Sequence, residues 1–175
     1  MNELQELQIE HYRGRAKNAV QDYLIHKLLF PKVYLDADFN GKKVDVLAID
    51  REGTGDVHAV YIVYQGTDAE NALETVVANN VTPPAKILPH FVYAAVVNNG
   101  PGASKYVPPE EIIQKSFAED GVGRVGILYV DSCEEDPKFQ VRVILKAERF
   151  RSSPQIVELA DRFVAEHTAN WEVRE

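Results

Sequence analysis

Three short runs rich in branched and aromatic residues, Val33 to Ala37, Lys43 to Ile49 and Val57 to Gln65, follow one another with little chain between them. Runs of this length and composition read as strands. The first gap holds Phe39-Asn40-Gly41-Lys42, and Asn-Gly accepts the positive φ that a type I′ turn demands at both central positions. The second gap, Asp50 to Asp56, is a looser loop of glycines and acids. Residues 33–65 are therefore predicted to form an antiparallel meander, and the rest of the chain has to cover it.

The covering elements are legible as periodicities. From about Leu4 to Leu28 the apolar residues Ala16, Val20, Tyr23, Leu24 and Leu28 recur at helical spacing until Phe30-Pro31 stops them, with Gly14 as a predicted interruption. Thr67-Asp68-Ala69-Glu70 has the form of a capping box and opens a predicted helix that runs to about Asn79. The apolar run His90 to Val97 reads as a strand buried on both faces, and a helical crossover makes it parallel to the third strand. A helix opening at Pro108-Pro109-Glu110-Glu111, strands near Arg124 to Val130 and Phe139 to Lys146, and a last helix from Ser153-Pro154 complete the chain. Ile156, Leu159, Ala160, Phe163, Val164 and His167 share one face of that last helix, and Trp171 near its end reads as a docking anchor.

At 175 residues, 45% hydrophobic and 26% charged, the chain fits a single domain, 1–175. No window is apolar for long enough to span a bilayer, so no membrane partner is expected. A polar, acidic start unlike a secretory signal and a lone cysteine, Cys133, favour a cytoplasmic location. The net charge of −8 argues against a general polyanion binder, with Arg13, Arg15, Lys17, Lys42 and Lys43 as the best local basic patch.

Within the meander one residue is out of place. Asp45 stands alone in the apolar run Val44-Asp45-Val46-Leu47-Ala48-Ile49, where an ionised carboxylate needs a partner, a proton or a metal. The order helix, three-stranded meander, helix, parallel strand, with an aspartate on the second strand, resembles the PD-(D/E)XK nuclease superfamily, the restriction-endonuclease-like and Holliday-junction-resolvase-like fold, over roughly 13–97. The resemblance implies an α/β fold with that core and two additional C-terminal strands and helices. In the family the second strand carries a metal-binding Asp and the third carries Glu-x-Lys; the carboxylates hold Mg²⁺, which activates a water against the scissile phosphate.

The residues of this chain depart from that pattern. Where Glu-x-Lys-Gly is expected, it reads Val63-Tyr64-Gln65-Gly66, with valine for the glutamate and glutamine for the lysine. Lys17 falls where resolvase-like members often add a glutamate on the first helix. Two readings follow: Asp45, Lys17 and Gln65 form a rearranged catalytic site with Asp45 as metal ligand, or Lys17 and Asp45 are an ion pair left in a lost site. Asp22, Asp38, Asp50 and Glu10 are the nearby acids, and strict alternation puts Asp50 on the face opposite Asp45. The expectation is a non-catalytic member acting as an interaction or regulatory module, with a protein or, less readily for an acidic chain, a nucleic acid as partner, and with no cofactor. The alternatives are a Mg²⁺-dependent nuclease with a rearranged site, and a small-molecule or peptide-binding α/β protein using a cleft beside Asn98 to Lys105.

The remaining motifs carry less. Asn99 to Lys105 lacks the Gly-Lys-Ser/Thr ending of a phosphate loop and reads as a surface turn. Asp131 to Pro137 reads as a solvated hairpin connection, with Cys133 lacking a nearby base. The five histidines have no metal-helix spacing, and Asp56-Val57-His58 points two groups from one strand face without a third.

Overall fold

The computed structural model describes residues 3–50, 55–64, 69–81, 89–97, 108, 110–117, 122–131, 140–151, 154–167 and 171–172. In chain order the elements are α1 (Glu3–His26), β1 (Lys32–Phe39), β2 (Lys42–Ile49), β3 (Val57–Tyr64), α2 (Ala69–Val81), β4 (Phe91–Val97), α3 (Glu110–Lys115), β5 (Gly126–Asp131), β6 (Gln140–Leu145), α4 (Gln155–Glu166) and β7 (Trp171–Glu172). The strands make one open sheet in the order β6-β5-β4-β3-β2-β1-β7, so the protein is a mixed α/β fold. β1, β2 and β3 form an antiparallel meander, β3, β4 and β5 run parallel, and β6 and β7 close the ends antiparallel.

The turn between β1 and β2 is the two-residue kind, with Asn40 at φ 53° and Gly41 at φ 74°. Crossovers β3-α2-β4 and β4-α3-β5 advance in the same direction across the sheet, so a uniform handedness puts α2 and α3 on one face. That face packs Leu73 of α2 and Ile112 of α3 against Val63, Ala94, Val96 and Ile127, and Ile156, Ala160 and Phe163 of α4 against Leu47, Ile49, Val57 and Ala59. The other face belongs to α1, whose Ala16, Val20, Leu24 and Ile25 bury Val33, Val46, Ala48, Val60, Ile62, Ala95, Val97, Leu128 and Val130. The sheet is thus covered on both sides, as its continuous apolar strands require.

Several expectations need correction. α1 is continuous through Gly14, because a single glycine costs a helix only about 1 kcal/mol against alanine and the packed turns that follow outweigh it. Leu28 lies beyond that helix and is 40% exposed, because the chain leaves α1 through widened turns in which Leu28 N–H reaches the Tyr23 carbonyl and Phe30 N–H the Leu24 carbonyl. Trp171 is in β7 against Val33, not on the last helix, which ends at Glu166. The capping-box residues Thr67 and Asp68, the loop from Asn98 to Lys105, Cys133 and Gln65 lie outside the described residues.

Two backbone positions test this packing. Leu29 is held at φ 58° with its side chain 76% exposed, a conformation that costs an L-residue about 1–2 kcal/mol with no burial to offset it. Leu29→Gly is expected to raise stability by about 1 kcal/mol in urea unfolding, the gain being trimmed by the entropy of the unfolded chain. Gly126 opens β5, and a Cβ there would stand 2.7 Å from the Ala147 backbone nitrogen and 2.8 Å from the Ala147 Cβ. Gly126→Ala therefore has to push two backbone segments apart, and a loss of about 2 kcal/mol is expected in the same assay.

Candidate functional site: a lysine between two aspartates

The meander is interrupted at one level. On β1, Val33 and Leu35 face α1 while Ala37 and Phe39 face α4, although all four are odd-numbered. On β2, Val46 and Ala48 face α1 while Val44 faces α4. The two-residue period of each strand therefore resets between these positions, at Asp36 on β1 and at Asp45 opposite it on β2. The register brackets the break, with Leu35↔Val46 on one side and Ala37↔Val44 on the other. Asp36 sits at φ 51°, a left-handed conformation that aspartate tolerates better than most residues.

The ladder between β2 and β3 ends at the same level, running from Ile49↔Val57 to Val46↔Val60. Beyond Val60 the β3 backbone has lost its neighbour, and its next inward donor is satisfied by a side chain. Ile62 N–H donates to Asp45 Oδ2 at 2.7 Å. The carboxylate thus substitutes for a missing strand carbonyl, which explains an acid in an apolar run without any metal.

The second Asp45 oxygen faces α1. Lys17 Nζ lies 3.9 Å from Asp45 Oδ1 and forms a close ion pair with Asp36 Oδ1. The Lys17 and Asp45 side chains are each 15% exposed and that of Asp36 49%, so solvent reaches the cluster from the β1 side. One ammonium therefore bridges two carboxylates contributed by adjacent strands at a shared defect.

The structure brings Lys17 and Asp45 together, and Gln65 lies outside the described residues. Val63, at the position expected for the family's glutamate, packs with Leu73 on the opposite face of the sheet, while His58, Val60 and Ile62 of β3 face α1. The reset also undoes the alternation argument about Asp50. Val46 and Ala48 follow Asp45 on the α1 face, so Asp50 does not lie opposite it by parity, and its charge acts on His58 of that face. The basic patch does not form as one surface, since Lys17 is engaged by Asp36 and Asp45 while Lys42 and Lys43 border a cavity on the α2 face. Asp36 was not among the acids singled out in the sequence. Its signal is an acid between Leu35 and Ala37 of a strand otherwise reading as buried, in the one residue class besides Asn and Gly at ease with positive φ.

Mg²⁺ prefers an octahedron of oxygens with few protein ligands and several waters. The donor set here is two carboxylates, one of them committed to Ile62 N–H, with a fixed cation already between them. As arranged, these residues do not fit a divalent metal. No group of three or more His, Cys, Asp or Glu side chains suited to a metal occurs among the described residues.

A second polar cluster lies at the opposite end of β3. Asp56 is ion-paired with Arg149, and His90 Nδ1, which accepts Val57 N–H at 2.9 Å, stands 3.8 Å from Asp56 Oδ1. His58 stacks on Phe91 at 4.5 Å between centroids and leans on Phe30 at 4.3 Å, and its buried Nδ1 has no hydrogen-bond partner among the described residues. Burial pushes the His58 imidazole down to about 4, helped by the charges of His90 and Arg149 against those of Asp56 and Asp50. His90 is also lowered, by burial first. The Asp56-Val57-His58 signal thus marks a structural cluster whose arginine comes from far along the chain.

No protein-family model matches the chain, and no curated protein matches its sequence. Among solved structures, it is similar to the SPO1766 protein of unknown function from Silicibacter pomeroyi, with 12% identity and a TM-score of 0.42 over 77% of this chain and 72% of that one. It is also similar to SfsA of Pyrococcus furiosus, solved in complex with Ca²⁺, with 12% identity and a TM-score of 0.39 over 75% of this chain and 63% of that one. No described helix is long and apolar enough to cross a membrane.

Proposed function

We propose that this chain is a non-catalytic α/β domain with a restriction-endonuclease-like core, an interaction or regulatory module in which an internal lysine stands where a nuclease would hold its metal. The observation that carries this reading is the Lys17 ammonium placed between Asp36 and Asp45. An ammonium neutralises the paired carboxylates without offering an open coordination position, so the site keeps its electrostatic balance and has no route to an activated water. The second Asp45 oxygen is held by Ile62 N–H, which ties the carboxylate to the architecture of the sheet. With a net charge of −8, a protein surface is the favoured partner over a nucleic acid.

The test is a calorimetric titration of the protein with Mg²⁺ and with Mn²⁺, run beside cleavage assays on supercoiled plasmid and single-stranded oligonucleotide. Neither saturable metal binding nor metal-dependent cleavage is expected. Cleavage that requires the metal and disappears in Asp45→Asn would overturn the proposal and establish the rearranged nuclease instead. Salt-dependent binding of DNA at low ionic strength, measured by fluorescence anisotropy, decides the class of partner.

A further inference from the structure

The break that admits Asp45 on one face of the sheet opens a wedge on the other. Because β2 and β3 stop pairing at Val46↔Val60, the start of β2 stands away from β3, and α2 roofs the space between them. The result is a cavity of about 450 Å³ lined by Lys42, Lys43, Tyr61, Thr75, Val76 and Asn80. That volume is within the range of small-molecule sites, about 300–1,000 Å³. Its described lining contains two lysines and no carboxylate, in a chain of net charge −8.

The polar groups of the lining are arranged by depth. Asn80 is 1% exposed; its Nδ2 donates to the Val76 carbonyl at 2.7 Å, and its Oδ1 has no partner among the described residues. Exchanging the amide ends would set oxygen against the Val76 carbonyl, so the orphan atom is an acceptor that calls for a donor. The Asn80 amide N–H donates to the Tyr61 oxygen, which leaves Oδ1 unengaged, and burial, together with the Asp45 charge, pushes the phenol up to about 12, so it stays protonated. Burial lowers Lys42 from its ordinary value, which marks an amine partly withdrawn from water at the edge of the cavity. The rings and methyls of Tyr61 and Val76 supply the apolar wall.

We propose that this wedge is a binding site for a small oxyanion bearing hydroxyl groups, a phosphomonoester or a hydroxycarboxylate, whose charged end meets Lys42 and Lys43 and whose hydroxyls reach toward Tyr61 and Asn80. The cavity opens on the α2 face, away from Lys17 and Asp36, so the proposal stands whether or not the lysine-bridged cluster is catalytically silent.

The experiment is an amide-detected NMR titration of the full chain with glycerol 3-phosphate, with glycerate and with uncharged glycerol, at constant ionic strength set by sodium chloride. Saturable shifts at Lys42, Lys43, Tyr61 and Thr75 through Asn80 are expected with at least one of the two anions and with neither glycerol nor salt. The anion that saturates first identifies the charged group as phosphate or carboxylate. Lys42→Met is expected to weaken that binding about tenfold and the more exposed Lys43→Met by less. Thermal melting of both variants confirms that they fold, and Lys43→Met serves alone if Lys42→Met does not. No saturable shift with either anion, shifts spread over lysines elsewhere, or affinities unchanged in the folded variants would overturn the site.

Discussion

Asp45→Ala is expected to lower stability at neutral pH by about 3 kcal/mol, whereas Asp45→Asn is expected to cost about 1 kcal/mol. The difference separates two roles of one carboxylate. Alanine leaves Ile62 N–H, in a residue 5% exposed, without an acceptor, and leaves Lys17 with Asp36 as its remaining carboxylate in the cluster. Asparagine keeps an oxygen for Ile62 N–H and gives up only charge, which the partly solvated Asp36 makes good in part. Urea unfolding with an unchanged m-value measures both. Equal losses from the two substitutions would mean that the ion pair, not the hydrogen bond across the broken ladder, holds the defect together.

Acidification is expected to destabilise the fold between pH 6.5 and about 4, chiefly through His58. The imidazole titrates near 6.5 when unfolded and about 4 when folded. Between those values the unfolded chain binds more protons than the native one, so stability is complete above pH 6.5 and falls as pH falls. The loss attributable to His58 is about 3 kcal/mol by pH 4. His90 moves in the same direction, lowered first by burial, and its Nδ1 already accepts Val57 N–H. Urea midpoints at a series of pH values give the curve, and His58→Phe, which keeps a ring between Phe30 and Phe91, is expected to flatten it. A wild-type curve as flat as that of the variant would show that His58 is not the group responsible.

Much of the fold was legible because local chemistry and global arrangement agree. Asn40-Gly41 needed only its own backbone preferences to mark the hairpin, and the spacing of Ile156, Ala160, Phe163 and Val164 needed only the helical period to mark a docked face. The candidate site was legible only in part. Asp45 stood out because it violates the pattern around it, and Lys17 followed from the order of elements. Asp36 escaped because period-two reasoning assumes an unbroken strand, and the break is created by Asp36 itself in combination with a residue on another strand. The same assumption misplaced Asp50, whereas Val63 was matched to the glutamate position by the family pattern and packs on the other side of the sheet. Arg149 could not have been joined to Asp56 from sequence, since nothing local to either residue records the contact.

Among the described residues α1 is the helix that covers one face of the sheet, and this shapes how the protein reaches its native state. Val20 and Leu24 share a cluster with Val33 and Val46 soon after them, and also with Ala95 and Leu128 much later in the chain. Half of the surface under α1 therefore does not exist until β4 and β5 have been laid down. A ribosome-bound segment ending before β4 would carry α1 with part of its apolar stripe uncovered, and the contacts that finally bury it close long loops. Folding of this kind is late and slow relative to helical domains of similar size, and it leaves the incomplete chain with a sticky helix that a chaperone can read.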